Sequence, residues 1–141
     1  MALVLPFLVV VVLGIVEFGY YIYTYSELEN ATRRASERAS KTPPLNASNA
    51  NDACALLAKD DALNNVVLSA LKREHITVSY PSGNARKVGD QVEVRVAYTG
   101  DFLTPIGQSF LGGKLKFDFV SRRTITSLDP PRGYNPDCTQ Q

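Results

Sequence analysis

The chain has one histidine, one methionine and no tryptophan among its 141 residues. A metal site that needs two or three imidazole ligands is therefore excluded within one copy of this chain. An excess of one charge sign is also lacking, because 15 lysines and arginines stand against 14 aspartates and glutamates. A balance of this kind provides no field that would gather nucleic acid, and we expect no nucleic-acid partner.

Charge is nearly absent from the first 26 residues, where Glu17 is the only charged side chain. The run ALVLPFLVVVVLGIVEFGYYIY is roughly 22 residues long, and at about 1.5 Å per helical residue it covers about 33 Å, enough to cross a bilayer core. A cleaved secretory signal is the rival interpretation. No basic residue precedes the run and no small-x-small cleavage site follows it, so we expect this segment to be retained.

Two features of the apolar run suit a helix that packs against other helices. Gly14 and Gly19 narrow the helix and permit close approach of a second backbone, although ordinary membrane-helix glycines would look the same. The polar end of the run carries Phe18 and four tyrosines between positions 20 and 25. Amphipathic rings favour the boundary between membrane and water, so this cluster is typical of an aromatic belt.

The helix is predicted to continue beyond the membrane through SELENATRRASERASK. Glu29, Arg33, Glu37 and Lys41 follow one another at intervals of four, which places alternating charges on one helix face. The other face carries small or apolar residues, namely Leu28, Ala31, Ala35 and Ala39. We expect that face to lie on a compact domain and the helix to end at Thr42, Pro43 and Pro44.

A second helix is predicted from about Ala53 to Glu74, with Asp52 as its N-cap. Its apolar positions near one stripe are Leu56, Leu63, Val67, Ala70 and Leu71. A break around Asp60 and Asp61, or around Asn64 and Asn65, is the alternative.

After His75 the hydrophobic period changes to two and predicts three strands that each bury one face. Apolar residues alternate with polar ones in the segments that begin at Ile76, Val92 and Leu115. Turn residues between the first two segments predict antiparallel neighbours. The second connection, TGDFLTPIGQSFLGG, is expected to form a short helical turn before Gly112 and Gly113.

The three strands need a cover for their apolar face, and the outer half of the long helix and the second helix are available for it. We therefore predict an α+β fold with a protruding N-terminal helix on a small antiparallel sheet. The predicted division places the membrane-type helix in residues 1–41 and a globular head in residues 42–141.

Cys54 and Cys138 are the only cysteines. They cannot complete a four-ligand zinc site with a single histidine, but they can tie the proline-rich tail to the head. We favour a disulfide and an oxidising compartment over two unrelated thiols. Two N-glycosylation sequons begin at Asn30 and Asn46, and such triplets also arise by chance.

The charge distribution around the apolar run favours the cytoplasm for the head, in contrast to the oxidising compartment that a disulfide would need. Arg33, Arg34, Arg38 and Lys41 follow the run and nothing basic precedes it, so the positive-inside rule alone places the head in the cytoplasm. We nevertheless place the head outside the cell, on the expectation that an N-terminal leader precedes Met1.

A search for catalytic motifs finds neither a nucleophile elbow nor a phosphate-binding glycine loop. His75, at the predicted boundary between helix and strand, is interpreted as a surface residue. We therefore expect no enzymatic activity and no cofactor.

The run ALVLPFLVVVVLGIVEFGYYIYTYSELENATRRASERAS resembles the N-terminal signature of TadE-like proteins, the pilin-like subunits of tight-adherence secretion systems. The shared order is Leu-Val-Leu-Pro, an aliphatic stretch, Gly-Ile, Glu-Phe-Gly, a tyrosine-rich turn and an Ala/Arg helix. The resemblance implies a type IV pilin-like fold, insertion in the inner membrane, trimming by a prepilin peptidase, and extraction by a pilus assembly machinery. It also implies an extracellular filament whose core is a bundle of the apolar helices.

The chain departs from this pattern at its start, because such proteins usually carry a leader and a short Val-Glu segment before Ala-Leu-Val-Leu-Pro. Either the true start lies upstream of Met1 or the processed form begins here, so the usual fifth-position glutamate has no assigned counterpart. Glu17 would be costly in an apolar bundle unless neutral or paired, for example with a neighbour's α-amino group or a basic residue near Arg33. The alternative places Glu17 at the wet edge of the helix. Our candidate assembly residues are Phe7, Val10, Gly14, Glu17, Phe18, Gly19 and Tyr21.

Two functions from different classes follow. The favoured one is a structural subunit of a self-polymerising filament with roles in surface attachment or motility. The alternative is a single-pass, membrane-anchored extracellular binding module, or a minor pseudopilin that initiates assembly.

Overall fold

The computed structural model describes residues 4–44, 52–64, 66–81, 87–110 and 112–128. One long helix, α1, covers Val4–Lys41 and contains 38 residues, which corresponds to a length of about 57 Å. Ion pairs join Glu29 to Arg33 at 2.6 Å and Glu37 to Lys41 at 2.8 Å on its outer half. The continuous helix from the apolar run to Lys41 is as predicted.

The second helix, α2, covers Ala53–Asn64. Asp52 caps it as predicted, since its Oδ1 accepts a hydrogen bond from the Ala55 N–H at 2.9 Å. The predicted extension to Glu74 is wrong, and the alternative break at Asn64 is the observed end. The Val67 side chain, 78% exposed, is not part of a buried stripe.

The chain after α2 returns along that helix and forms a short 3-10 turn at Arg73–His75. The Arg73 guanidinium donates to both carboxylate oxygens of Asp60, at 2.5 and 2.8 Å. A bidentate pair of this kind fixes orientation. It therefore holds the returning segment against α2.

Three strands form one antiparallel sheet in the order β1-β2-β3. Their bounds are Ile76–Ser79 for β1, Gln91–Gly100 for β2 and Leu115–Thr124 for β3. In the register, Val96 of β2 lies between Ile76 of β1 and Phe119 of β3. The three strands and the antiparallel pairing of the first two are as predicted.

The connection between β2 and β3 contains a short helix, α3, at Pro105–Phe110. Gly112 and Gly113, which follow it, both have φ of +85°. Residues with a Cβ rarely adopt that conformation, so two glycines suit this return into β3. The predicted helical turn before the glycine pair is confirmed.

The core lies between the outer half of α1, α2 and one face of the sheet. α1 and α2 contribute mainly alanines, whose small side chains let the backbones approach closely. The fully buried contributors include Leu28, Ala31, Ala35 and Ala39 of α1, Ala55, Ala58 and Ala62 of α2, and Val92, Val94 and Val96 of β2. The predicted α+β arrangement, with a long N-terminal helix packed on a small sheet, is confirmed.

The opposite face of the sheet is polar. Glu93 accepts a hydrogen bond from Arg122 across β2 and β3 at 2.6 Å, and Arg95 forms a bidentate pair with Asp118. Exposed pairs of this kind contribute little stability, about 0–1 kcal/mol each. They keep this face in water and leave a single apolar face for the helices.

Candidate membrane and assembly surface

The N-terminal part of α1 exposes its apolar side chains on the folded chain. Ten large hydrophobic side chains between Val4 and Val16 are 44–71% exposed: Val4, Leu5, Phe7, Leu8, Val9, Val10, Val11, Val12, Ile15 and Val16. Complete burial of one such side chain contributes about 1.5–3 kcal/mol, so withdrawing this stretch from water is worth on the order of 10 kcal/mol. A lipid bilayer or a protein partner must therefore cover it.

The same helix has the length and composition of a membrane span. An 18-residue window within Val4–Lys41 has a mean hydropathy of 2.1, and α1 is the one helix of this kind in the described part of the chain. Together with the exposed side chains, this favours membrane anchoring through α1.

The Glu17 carboxylate folds back onto the head of its own chain. Its two oxygens accept hydrogen bonds from the backbone N–H groups of Leu103 and Thr104, at 2.8 and 3.0 Å. Only 9% of the residue is exposed, so it does not lie at a wet edge of the helix. Backbone donors replace water around the carboxylate, which lowers the cost of its burial.

Thr104 has a second role beside this contact. Its Oγ1 accepts a hydrogen bond from the Gly107 N–H at 3.1 Å, in the manner of an N-cap for α3. The carboxylate of Glu17 thus binds the loop just where α3 begins. This connection joins α1 to the β2–β3 connection close to the end of the exposed apolar stretch.

A groove of about 670 Å3, which we call the base groove, runs between α1 and the β2–β3 connection. On the α1 side it is lined by Val10, Leu13, Gly14, Glu17, Phe18 and Tyr21. On the head side it is lined by Phe102, Thr104, Gly107, Lys114, Leu115 and Lys116. The α1 side of the groove is therefore mainly apolar, with Glu17 as its one carboxylate, and the backbone at the start of β3, from Lys114 to Lys116, borders the other side.

From the groove, strand β3 runs beside α1 toward the C-terminal end of that helix. The Phe117 ring lies 5.4 Å from the Tyr21 ring, and the Phe119 ring lies 4.9 Å from the Tyr25 ring, centroid to centroid. The first pair is tilted and the second is edge-to-face, and aromatic pairs at these distances add about 0.5–1.5 kcal/mol beyond their buried area. Part of the predicted aromatic belt therefore joins α1 to the sheet.

The structure gathers five of the seven candidate assembly residues around the groove and separates the other two. Val10, Gly14, Glu17, Phe18 and Tyr21 line it, whereas Phe7 and Gly19 do not. The Phe7 side chain is 71% exposed. A Cβ added at Gly19 would meet no atom within 4 Å, which leaves room for a partner.

The remaining candidate residues lie elsewhere. Asn30 is exposed on α1, and Cys54 is fully buried at the start of α2. Asn46 and Cys138 lie outside the described residues, so the disulfide and the glycosylation of these sequons stay predictions.

Sequence reasoning missed the partners of Glu17 and the two lysines of the groove. The Leu103 and Thr104 donors are backbone groups, which no side-chain motif reveals. A weak signal exists in Thr104-Pro105, since a threonine before a proline is typical of a helix start. Lys114 and Lys116 look like ordinary solvent-facing positions of an alternating strand.

Comparisons with known proteins agree with the resemblance at the N-terminus. Residues 1–37 match the family model described as TadE-like protein. Searches of the curated proteins and of the solved structures give no match. The matched segment and the exposed apolar helix together suggest a pilus-associated, membrane-anchored protein.

Proposed function

We propose that this chain is a structural subunit of an extracellular, pilus-like filament that polymerises through the exposed apolar part of α1. The observation that supports this most directly is that α1 is one continuous helix. Its outer half packs on the folded head, while its apolar part leaves ten large side chains uncovered. The exposed apolar part of α1 can lie in lipid before assembly and among the α1 helices of other copies in the filament.

The proposed sequence of locations starts in the inner membrane. Residues 1–41 act there as the anchor, while residues 42–141 form the head outside the membrane. A prepilin peptidase and a pilus assembly machinery then act on the chain before it enters the filament. Stacked heads of mixed charge supply heterologous contacts that do not close, which gives an open helical array with roles in attachment or motility.

The position of Glu17 bears on how such a filament holds together. Both of its oxygens have backbone donors within the chain, so the carboxylate can enter a helix bundle with part of its desolvation already compensated. We therefore propose that Glu17 contributes to assembly by fixing the head against α1, and that pairing with a neighbour's amino group is a secondary contact.

Electron microscopy of a sheared cell-surface fraction tests the filament directly, together with mass spectrometry of its components. We expect thin filaments that contain this chain as a major component. Isolated chains that remain in the membrane fraction, with no filament in the sheared fraction, would instead support the membrane-anchored binding module. Filaments that contain the chain only in trace amount would support the minor pseudopilin.

Matched variants connect the filament to the exposed stretch. Phe7→Ala and Val10→Ala shorten side chains that are 71% and 54% exposed in the single chain, and both keep the helix apolar enough to insert in a membrane. We expect reduced filament yield with normal amounts of membrane-inserted chain. Val67→Ala is the control, because Val67 is at least as exposed, at 78%, but lies on the head. Equal filament yield from all three variants would contradict polymerisation through α1.

A further inference from the structure

The β2–β3 connection is a part of the head that reaches the exposed apolar stretch of α1. The Glu17 carboxylate holds it there, since its oxygens accept hydrogen bonds from the Leu103 and Thr104 N–H groups. Strand β3 then leads away toward the C-terminal end of α1, with the Phe117 ring against the Tyr21 ring. The connection therefore forms the base of the head.

The helical rise gives the height of this contact along α1. Glu17 lies about 20 Å beyond Val4 and about 4.5 Å before Tyr20, the first residue of the tyrosine cluster. Tyrosines concentrate at the boundary between hydrocarbon and water, and the hydrocarbon core of a bilayer is about 30 Å thick. When α1 is inserted in a bilayer, Leu103 and Thr104 therefore lie at this boundary or just inside it.

The composition of the connection suits that position. No charged residue occurs from position 102 to position 113, and the sequence there, FLTPIGQSFLGG, includes five large apolar residues. Leu103 is 56% exposed on the folded chain. Charged residues stand only at the two ends, as Asp101 and Lys114, and both are exposed. Because charge is costly in hydrocarbon, these ends would stay among the headgroups while the residues between them enter the interface.

Several backbone polar groups of the connection have partners within the protein. Besides the two N–H groups that Glu17 binds, the Gly107 N–H donates to Thr104 Oγ1 at 3.1 Å. The side-chain amide of Gln108 donates to the carbonyl oxygen of Phe102 at 3.2 Å. Water would serve such groups on an ordinary exposed loop, whereas lipid offers no hydrogen bonds and requires internal partners. These contacts therefore suit a segment that borders lipid.

We propose that the β2–β3 connection is a second membrane contact, which enters the bilayer interface beside α1 with Leu103 directed into the lipid. The expected depth is that of interfacial helices, about 5–10 Å into the boundary between headgroups and acyl chains. The partner is the lipid surface, because the connection is continuous with the apolar stretch of α1 that the same bilayer covers. This contact would fix the orientation of the head on the membrane. The proposal rests on the membrane-anchored stage of the proposed function and not on the filament.

Tryptophan fluorescence of the full chain tests this, because the chain has no tryptophan of its own. Leu103→Trp places a single reporter in the connection, at an exposed side chain, and keeps the backbone N–H that Glu17 binds. Phe7→Trp places the reporter in the exposed apolar stretch, about 15 Å below Glu17. Val88→Trp is the matched control, since Val88 is 62% exposed and precedes β2, whereas the connection follows the other end of that strand.

Each variant is reconstituted in phosphatidylcholine vesicles whose acyl chains carry bromine, a quencher, either near the headgroup or near the chain end. We expect Leu103→Trp to emit at shorter wavelength than Val88→Trp and to be quenched mainly by bromine near the headgroup. Phe7→Trp should be quenched mainly by bromine near the chain end, and Val88→Trp by neither lipid.

Two results would overturn the second contact and leave the α1 anchor intact. One is emission and quenching of Leu103→Trp equal to those of Val88→Trp while Phe7→Trp is quenched. The other is short-wavelength emission of Leu103→Trp without quenching by either lipid, which would show that protein, such as a second copy, covers the connection. Absence of quenching in Phe7→Trp as well would refute the membrane-anchored stage itself. The expected quenching in a chain that forms no filaments on cells would refute polymerisation alone and support the second contact.

Discussion

Replacing Glu17 by leucine should release the loop at the start of α3 from the long helix. The substitution removes both acceptors of the Leu103 and Thr104 N–H groups, which are 2.8 and 3.0 Å from the carboxylate oxygens. A hydrogen bond to a charged group contributes about 1.5–3 kcal/mol. Because the contact is only partly buried, we take the lower value for each bond, which gives a loss of roughly 3 kcal/mol in local stability.

Amide hydrogen exchange of the full chain in detergent measures this loss at the two positions. A change of roughly 3 kcal/mol corresponds to exchange about 100-fold faster at residues 103 and 104. Glu17→Gln keeps one acceptor oxygen without the charge, so we expect an intermediate acceleration of about tenfold. The core amides of β2 should keep their protection in both variants, because their partners are strand residues.

Glu27 provides the matched control on the same helix. Its Oε2 accepts a hydrogen bond from the Val67 N–H at 3.1 Å, so Glu27→Leu should accelerate exchange at Val67 and leave residues 103 and 104 unchanged. Unchanged protection of Leu103 and Thr104 in Glu17→Leu would refute the reasoning, since it would mean that the carboxylate does not hold the loop.

Three further predictions concern the stability of the detergent-solubilised chain. Ala35→Leu adds volume at a fully buried position of α1 and should lower the free energy of unfolding by about 1–3 kcal/mol in urea titrations, while Ala70→Leu at an exposed position should change it little. Burial, together with the nearby Arg73 charge, lowers the pKa of Lys59 below its usual 10.5. The unfolded state therefore binds more protons than the folded state in the alkaline range, and the free energy of unfolding should rise as pH rises toward 10.5. We expect this rise to be smaller in Lys59→Met than in the native chain. Identical pH profiles of the two proteins would count against this. If Cys54 and Cys138 pair, alkylation before and after reduction should give different intact masses, and reduction should lower the free energy of unfolding by up to about 4.5 kcal/mol. Two cysteines alkylated without reductant would exclude the pair.

The end of α2 is a feature that hydrophobic periodicity did not predict correctly. Val67, Ala70 and Leu71 continue a helical spacing, and nothing in that spacing opposes a helix to Glu74. The observed chain leaves the helix after Asn64 and returns so that Arg73 reaches Asp60. Such a return depends on a contact across 13 positions, and the buried position of Leu71 depends on the core that the return completes. Periodicity alone cannot distinguish the two outcomes.

The candidate site was also predictable only in part, because some of its features lie within one segment and others depend on contacts between distant segments. The exposed apolar stretch, its glycines and its tyrosines are properties of one continuous segment, and a helix is the structure that satisfies its backbone in lipid. The base groove forms only where that segment meets residues 102–116. Lys114 and Lys116 border the groove only because α1 lies beside the start of β3. The alternating pattern of β3 does not predict that contact.

The amino-acid sequence by itself determined the long helix, its two kinds of surface, the three alternating strands and the resemblance of the N-terminus to TadE-like proteins. These features depend on hydrophobic period, on prolines that end a helix, and on charges four residues apart, all of which act within one segment. The tertiary structure alone decided where α2 ends, where the Glu17 carboxylate binds, and which residues enclose the groove. Glu17 and the amides it binds lie 86 and 87 positions apart in the chain, and only packing of the whole head against α1 brings them within 3 Å.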